Sequence, residues 1–427
     1  MKLAVVGQGP LAIHAALHFK HLGADVTLFK KEALGGNLHL LKTHFPQFKF
    51  QKSWKDLTSE IGRELVELSP ELLNEKPTAE DYWDKYLVPL VEKSDLFSHA
   101  KTAEVVRIHK RFLSQKEVIE GRSRLLDLFR VVFTLDPKES ILKQVEENPE
   151  AFEQLGAEVV NSLHETVEGF HDFDLVVDAR GKFYATNPMG ASNTYALNEK
   201  RLNDENIVFY GTDFLKKSPD FSQAKNIVLV GSGETVALSL LKLKDWFIKN
   251  LNVRLYIFTD EKLPFSSITN PWLQNELKTF FDETSAGYEN DKVEFERRIR
   301  AWRDLEDYEK VKVAKPTEPV NRMQLFNGYS IVAMDKLLDR EGVFVTAETV
   351  DFRQDFQSLT EAETLKTVPA DFIIVGKGYR LQTRDEVSEG LMLNEPGYFD
   401  MRGLSLNTGL QQLHEIEKAI MAFFQRQ

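Results

Sequence analysis

One short pattern occurs twice in this chain and restricts the available folds more than any other feature. The segment that begins at Lys2 reads as an apolar strand, a glycine-rich turn, a helix ending near Gly23 and a strand from Asp25 to Lys30. The segment that begins at Asn226 repeats this order with a longer amphipathic helix. Each unit has the length of a right-handed crossover between parallel strands. The repetition predicts two dinucleotide-binding domains.

The first turn, in VVGQGPLAIHAA, has the spacing Gly7-x-Gly9-x-x-Ala12. Gly7 permits a tight turn, Gly9 lets the main chain approach a diphosphate, and Ala12 is small enough for close packing of helix on strand. With Pro10 and Leu11, these residues form a candidate anion site at the positive end of a helix dipole. The alternative is that the glycines only shape a turn in a parallel sheet.

The second turn, GSGETV, supplies a second set of candidate residues: Gly231, Ser232, Gly233, Glu234 and Thr235. Val236 stands where a small residue is usual, so the alternative of a turn without a ligand has more weight here. Asp260 follows the second strand of this unit. A carboxylate there can accept hydrogen bonds from an unphosphorylated ribose, which favours NADH over NADPH.

Composition excludes several classes of function. The net charge of −12 argues against general binding to nucleic acids or anionic membranes. The chain has no cysteine, so it cannot form a disulfide, a thiolate metal site or a CxxC redox centre. That excludes a flavin disulfide reductase of the usual kind. The apolar stretch LAVVG is too short for a signal peptide or a membrane span, so we expect a soluble, cytoplasmic protein.

Periodicity predicts the remaining elements. Helical patterns cover 55–93, the charged segment 273–317 and the C-terminal 411–425; strand patterns cover 103–110, 129–135, 172–181, 342–346 and 371–378. The Glu- and Lys-rich segment 140–154 predicts a solvated helix or a mobile insertion.

With both turns placed, the sequence resembles the two-dinucleotide-binding-domain flavoproteins, and it is most similar to the class B flavin-dependent monooxygenases and their relatives. GQGPLA and the pair Gly35-Gly36 resemble the FAD diphosphate turn and the glycines that follow it. DLVVDARG and DFIIVGKGY resemble the two strands ending in Ala-Thr-Gly at which such chains pass between domains. The segment from Glu395 into the last helix resembles the stretch that runs past the flavin.

The resemblance implies an α/β fold with two Rossmann-like dinucleotide-binding domains, the second inserted into the first. Residues 1–200 plus 368–427 would bind FAD, and 201–367, with a charged helical insertion at 273–317, would bind NADH or NADPH. Beyond the residues of the two turns, the implied cofactor-binding residues are Lys30, Gly35, Gly36, Asn37, Leu38, Val106, Arg180, Gly181, Gly378, Thr408, Gly409 and Gln412. No catalytic side chain is implied. For the last helix, Asn407 or Thr408 is also expected as the N-cap.

Several positions depart from the family pattern. Lys30 replaces the carboxylate that usually holds the adenosine ribose, Arg180 replaces the first Thr, and Gly376-Lys377 replace Ala-Thr in the second strand. Gly211 or Thr212 stands where the monooxygenase fingerprint has His. Lys30 has two interpretations: it contacts an anionic ligand, or it extends into solvent while Glu32 or the main chain contacts the ribose. We favour the second, because a Lys at the end of a strand is ordinarily solvated and the glycine pair still indicates FAD.

The histidines cluster near the N-terminus. His14, His18 and His21 share one face of the first predicted helix, and His39 and His44 follow. Such spacing can present metal ligands. No further ligand set is recognisable in the sequence, so we expect no metal and interpret the three as a partly exposed helical stripe.

Three functions agree with these observations. The first is an FAD-dependent, NAD(P)H-using oxidoreductase, with monooxygenation of a small molecule as one form. The second is a non-catalytic descendant of the fold that binds a nucleotide or a protein partner. The third is a reductase that passes electrons to a protein acceptor. The substrate and the oligomeric state are not specified, and an oligomer is compatible with the sequence.

Overall fold

The computed structural model describes residues 1–31, 35–112, 127–135, 167–181, 185–217, 219–336, 342–350, 364–380, 386–392 and 394–424. The predicted segment 140–154 therefore lies outside the described residues. The chain divides into two compact units: Met1–Tyr184 with Leu381–Gln427, and Ala185–Arg380. The second unit is thus inserted into the first, as the fold class requires. No helix in the described part of the chain combines the length and the apolar character needed to cross a membrane.

The first unit contains these strands: β1 (Lys2–Val6), β2 (Asp25–Lys30), β3 (Ala100–Thr102), β4 (Glu104–Lys110), β5 (Phe129–Leu135), β6 (Val167–Phe173) and β7 (Leu175–Asp178), with β18 (Tyr398–Asp400) from the C-terminal segment. Its helices are α1 (Pro10–His21), α2 (Asn37–His44), α3 (Trp54–Leu57), α4 (Glu60–Val66), α5 (Ala79–Tyr82) and α6 (Val88–Ser94), and the C-terminal helix spans Leu406–Phe424. The first repeat is therefore confirmed at its predicted positions.

The second unit contains β8 (Ala185–Thr186), β9 (Val208–Tyr210), β10 (Asn226–Val230), β11 (Arg254–Thr259), β12 (Met323–Asn327), β13 (Tyr329–Asp335), β14 (Val343–Thr349), β15 (Leu365–Ala370), β16 (Phe372–Val375) and β17 (Tyr379–Arg380). Its helices are α7 (Glu199–Asp204), α8 (Asp213–Lys217), α9 (Glu234–Lys249), α10 (Pro271–Arg303) and α11 (Asp307–Lys310), so the C-terminal helix of the first unit is α12. The second repeat, β10-α9-β11, is also confirmed.

The two units share one architecture. The parallel sheet of the first has the described order β18-β7-β1-β2-β3, and that of the second has the order β9-β16-β10-β11-β12. Each also has an antiparallel three-stranded sheet, β4-β5-β6 or β13-β14-β15, among the described strands. Strands β1 and β10, which carry the glycine turns, are central, so the turns lie at the carboxyl ends of the sheets, where open α/β folds bind ligands.

Each core lies between the parallel sheet and its antiparallel partner. In the first unit Phe29 packs against Phe133 and Phe173, with ring centroids 5.3 and 5.8 Å apart. All three rings are buried. Burial of a Phe side chain contributes about 1.5–3 kcal/mol, so this contact fixes β2 on the antiparallel sheet.

The unit boundaries differ from the expected domain boundaries. Residues 185–200 and 368–380, which we expected in the first domain, lie in the second unit. The reason is β16, which pairs with both β10 and β9 in the middle of the second parallel sheet. The charged segment expected at 273–317 begins as α10, whose first turns bury Leu273, Leu277 and Phe280 in this unit.

Candidate functional site

The first glycine turn is shaped by close backbone contacts. Gly7 has φ +145°, and a β-carbon there would lie 2.6 Å from the Ala179 carbonyl oxygen and 3.0 Å from Ala12 Cβ. Its N–H donates to the Phe29 carbonyl at 2.9 Å. Gly7 is therefore required by the turn itself, and Ala12, fully buried, provides the close helix-to-strand packing that the sequence predicts.

Gly9 is different, because no contact with the described residues requires it to be glycine. It is the N-cap of α1, with Pro10 as the first helical residue, and its φ of −77° is open to any residue. In the described part of the chain, a β-carbon on Gly9 would meet no atom within 4 Å. The space in front of the helix N-terminus is therefore open at the place where a diphosphate would approach the main chain.

The pair Gly35-Gly36 lies against the same turn. Gly35 N–H donates to the Gln8 carbonyl at 2.9 Å, and a β-carbon on Gly36 would lie 3.8 Å from Gly9 Cα. Both glycines have positive φ, +86° and +53°. Gly36 then caps α2, which begins at Asn37 and buries Leu38. The structure thus brings together two glycine segments that are separated in sequence.

Lys30 is half-buried at the end of β2, and its ammonium lies 5.5 Å from the centre of the Phe97 ring. A cation over an aromatic face is a modestly favourable contact. Glu32, the alternative ribose ligand, lies outside the described residues. Both interpretations of Lys30 therefore stay predictions.

Two Asp-x-Arg motifs stand side by side at the carboxyl ends of β7 and β18, where Asp178 pairs in register with Asp400. In each motif the Arg guanidinium donates hydrogen bonds to the Asp two residues before it. Arg180 Nε and Nη2 donate to Asp178 at 2.9 and 2.5 Å, and Arg402 Nε and Nη2 donate to Asp400 at 2.8 and 2.7 Å. Sequence reasoning missed Arg402. The repeat of Asp-x-Arg in DARG and DMRG was the available signal.

Asp178 is the centre of this group. It is fully buried and also accepts a hydrogen bond from the Tyr398 hydroxyl at 2.7 Å. The Nε atom of Arg402 lies 3.7 Å from Asp178 Oδ2. Burial and the neighbouring Asp178 raise the pKa of Tyr398, so its phenol stays protonated and donates. Arg180 thus stands next to the Gly7 turn, already oriented by a buried carboxylate. Gly181, after it, is exposed.

The start of α12 differs in detail from the prediction. The N-cap is Ser405, whose Oγ accepts the Thr408 N–H at 3.2 Å, rather than Asn407 or Thr408. Gly409 is buried because Leu11 of α1 occupies the space that a β-carbon would need. The buried side-chain amide oxygen of Gln412, Oε1, has no hydrogen-bond partner among the described residues. Such an oxygen is an acceptor available to a ligand.

Val106 lies in β4 where the pairing with β5 shifts, between the pairs at Val105 and Arg107. It is the extra residue of a β-bulge and is half-buried. A bulge redirects the main chain locally, so Val106 has no paired residue in the β4–β5 register.

The second turn repeats the geometry of the first. Gly231 has φ +110°, and a β-carbon there would lie 2.6 Å from the Gly376 carbonyl oxygen. Gly233 caps α9 as Gly9 caps α1. Val236, the bulky residue at the third position, fits because its Cγ2 lies 2.6 Å from where a β-carbon of Gly376 would be. Two departures from the family pattern, Val236 and Gly376, therefore compensate for each other.

Side chains surround the second turn more closely than the first. Ser232 is buried and donates to Glu261 at 2.6 Å. The Lys377 ammonium, only 7% exposed with its side chain, lies 2.7 Å from Asp260 Oδ2 and 3.0 Å from the Gly190 carbonyl. Lys377 follows β16 and Asp260 follows β11, so the lysine side chain crosses the end of β10 that lies between them. The carboxylate predicted to bind ribose is thus ion-paired.

Three more candidates in this unit have defined places. Glu234 is exposed at the first position of α9, and Thr235 follows it, half-buried. Gly378 has φ +78°, and its carbonyl accepts the Asn187 N–H at 3.0 Å.

Two positions, Gly211 and Thr212, are candidates for the histidine of the monooxygenase fingerprint, and the structure explains the first. Gly211 has φ +54°, and a β-carbon there would lie 2.5 Å from the Tyr379 hydroxyl. A histidine side chain has no space at 211.

Comparison with known proteins shows the fold. No protein-family model matches the chain, and no curated protein matches it in sequence. Among solved structures, it is similar to the ornithine hydroxylase of Pseudomonas aeruginosa, at 15% identity, TM-score 0.55 and coverage of 99% of this chain and 98% of that one. It is similar to the ornithine N-hydroxylase of Kutzneria sp. 744, at 14% identity, TM-score 0.55 and coverage of 100% and 99%. The bacillithiol disulfide reductase of Staphylococcus aureus matches at 12% identity, TM-score 0.54 and coverage of 99% and 98%.

The fold is therefore that of the two-dinucleotide-binding-domain flavoproteins over nearly the whole chain, as the sequence resemblance implies. Because these neighbours include both hydroxylases and a disulfide reductase, the fold alone does not select the reaction. The lack of any cysteine excludes thiol chemistry carried out by side chains of this chain.

Proposed function

We propose that this protein is an FAD-dependent, NAD(P)H-using oxidoreductase that acts on a small molecule in the cytoplasm. The first glycine turn would hold the FAD diphosphate, and the second would hold the nicotinamide nucleotide. The observation that carries the proposal is the open space in front of Gly9, at the N-terminus of α1, with Gly35-Gly36 beside it. Among the described residues, no atom lies within 4 Å of the point where a β-carbon on Gly9 would stand.

The residues around the first turn suit such a ligand. Free N–H groups at the start of α1 and the helix dipole favour an anion. Arg180, held by Asp178, adds a guanidinium beside the turn without an uncompensated buried charge. Gln412 offers a buried carbonyl oxygen that a ligand N–H or O–H can satisfy. Residues near the start of α12 would therefore contact the ring end of the cofactor.

The bound flavin would supply the redox chemistry, since isoalloxazine accepts a hydride and passes electrons to oxygen or another acceptor. What this chain provides is binding, orientation and exclusion of water. We assign no side chain of the described residues to proton transfer.

The electrostatics of the second turn bear on the choice of nicotinamide nucleotide. Asp260, Glu261 and Glu234 place carboxylates around the turn, and Lys377 is the cation paired with Asp260. A carboxylate already bound to an ammonium is a weaker acceptor for a ribose diol. The Asp260–Lys377 ion pair thus weakens the argument for NADH. Lys377 would instead contact the 2′-phosphate of NADPH. Of the neighbours, the Kutzneria ornithine N-hydroxylase was solved with NADP⁺.

The test is the spectrum of the purified protein. We expect flavin absorbance bands, either as purified or after incubation with FAD, that bleach on anaerobic addition of NADPH or NADH. Return of oxygen should then reoxidise the flavin, and a transient C4a-adduct band would assign a monooxygenase rather than a reductase. A protein that neither carries FAD nor binds it would refute the proposal.

The alternative is a non-catalytic descendant of the fold. One observation favours it: at the second turn, Ser232 is bonded to Glu261 and Lys377 crosses to Asp260, so that turn is filled by side chains. The same experiment distinguishes the two, since a protein that binds FAD but is not bleached by either nucleotide would be the non-catalytic form.

A further inference from the structure

We propose that His18, His414 and Glu417 form a binding site for a divalent transition metal ion, with Zn²⁺ as the ligand of choice. His18 belongs to α1, and His414 and Glu417 lie one turn apart on α12. The site uses no residue of either glycine turn and does not depend on the proposed function. It brings the two ends of the chain's sequence together in one cluster.

The distances suit a metal with short bonds. His18 Nε2 lies 3.1 Å from Glu417 Oε2, and His414 Nδ1 lies 3.7 Å from the same oxygen. One ligand atom from each residue lies within 4.8 Å of the others. Zinc bonds of about 2.0–2.2 Å in tetrahedral geometry separate neighbouring ligands by about 3.4 Å. The two separations from Glu417, 3.1 and 3.7 Å, lie on either side of that value, so small side-chain rotations would complete the site.

Helix packing holds these ligands in place. Leu11 of α1 packs on Gly409 of α12, and His18 of α1 contacts Glu417 of α12. The intervals from 11 to 18 and from 409 to 417 are each about two helical turns, so the helices run side by side in the same direction. The packing of α1 on α12 therefore fixes the position of His18.

The exposure of the ligands also suits a metal. His18 is buried, with its Nε2 atom facing Glu417 Oε2. Two imidazole nitrogens and one carboxylate oxygen give a divalent ion three protein ligands. His414 is 69% exposed with its side chain, which leaves water free to fill the remaining coordination position.

The ligand set defines the chemical class. Imidazole with a carboxylate suits Zn²⁺ and its neighbours Co²⁺ and Ni²⁺, whereas Mg²⁺ and Ca²⁺ prefer all-oxygen sites. The earlier interpretation of His14, His18 and His21 as a partly exposed stripe is wrong for two of them, since His14 and His18 are buried. The ligands that complete the site come from the other end of the chain.

The experiment uses the full chain after removal of metals with a chelator. Titration with ZnCl₂ by calorimetry should show one site of micromolar or tighter affinity, and CoCl₂ should give visible d–d bands of tetrahedral intensity. His414→Ala, chosen because that side chain is exposed, should weaken Zn²⁺ binding by at least about tenfold and abolish the bands. Glu417→Gln should do the same.

The control is His44→Ala, which removes a half-buried histidine from the end of α2. We expect this variant to bind Zn²⁺ like the unaltered protein, and the same concentration of Zn²⁺ to raise the melting temperature of both by more than that of His414→Ala. Equal affinity in all the proteins, or no binding in the unaltered chain at 100-fold excess of metal, would overturn the proposal.

Discussion

The Cγ2 atom of Val236 lies 2.6 Å from the point where a β-carbon on Gly376 would stand. The equivalent pair in the first unit is Ala12 and Ala179, where the side chain on the helix is small and the strand residue has its β-carbon. The space between helix and strand is thus filled by the helix residue, Val236, in the second unit, whereas in the first unit the two alanines share it. A bulky residue at the third position of a glycine turn is compatible with the fold when the facing strand residue is glycine.

Gly376→Ala tests this relationship. The added methyl should overpack the contact and lower the free energy of unfolding by about 1–3 kcal/mol. Gly376→Ala combined with Val236→Ala should recover only part of that loss, because the Val236 backbone nitrogen and Thr235 Cβ also lie nearby, at 3.1 and 3.3 Å. Urea unfolding of the four proteins gives the coupling energy. Additive effects of the two changes would show that the residues do not share this space.

Gly9→Leu tests the location of the flavin site. Since a β-carbon at Gly9 meets no atom of the described residues within 4 Å, the free energy of unfolding should fall by about 1 kcal/mol at most. The side chain would, however, fill the space for the diphosphate, so we expect loss of bound flavin. Gly287→Leu, an exposed position on α10 with equal space, is the control and should keep its flavin. Full flavin content in Gly9→Leu would exclude the first turn as the site.

Asp260→Asn tests the role of Lys377. Removal of the carboxylate leaves the nearly buried ammonium with the Gly190 carbonyl and takes away a charge that repels phosphate. The ratio of reduction rates with NADPH and NADH should rise by about tenfold, equivalent to about 1.4 kcal/mol. Lys377→Ala should move the ratio the other way. Stopped-flow flavin reduction measures both, and an unchanged ratio would show that neither residue contacts the 2′ position.

Asp178 and Asp400 have the same hydrogen bonds to Arg but different burial, so their variants should differ. Asp178→Asn leaves Arg180 and Arg402 without a buried counter-charge and should cost about 3–5 kcal/mol. Asp400 is 44% exposed, and Asp400→Asn should cost about 1 kcal/mol or less. Chemical unfolding of each variant gives the values. Equal losses would contradict the assignment of Asp178 as the buried centre of the group.

His14 makes stability dependent on pH. Burial, with a smaller effect of Arg63, lowers its pKa to about 3 from 6.5. The folded state therefore binds fewer protons than the unfolded state between these values, so stability is complete above pH 6.5 and falls with acid. The slope from this group is about 1.4 kcal/mol per pH unit. His14→Gln cannot titrate, so unfolding of that variant between pH 7 and 4 should show a shallower slope, and an identical slope would refute the assignment.

The sequence by itself determined the fold class, both strand–turn–helix–strand units and the identity of the turn residues. These follow from short-range effects: apolar periodicity, the positive φ that Gly7 and Gly231 must adopt, and the small size of Ala12. Because such signals are local, the boundaries of α1, β2 and β10 agree with the prediction.

Only the tertiary structure decided the contacts between distant segments. It paired Asp260 with Lys377, aligned Asp178 with Asp400, matched Val236 with Gly376 and brought His414 and Glu417 to His18. It also placed β16 in the second unit, which moved the domain boundary. These contacts depend on which strands are neighbours in a sheet and on how closely two elements pack. A local sequence pattern specifies neither, because the residues involved are far apart along the chain.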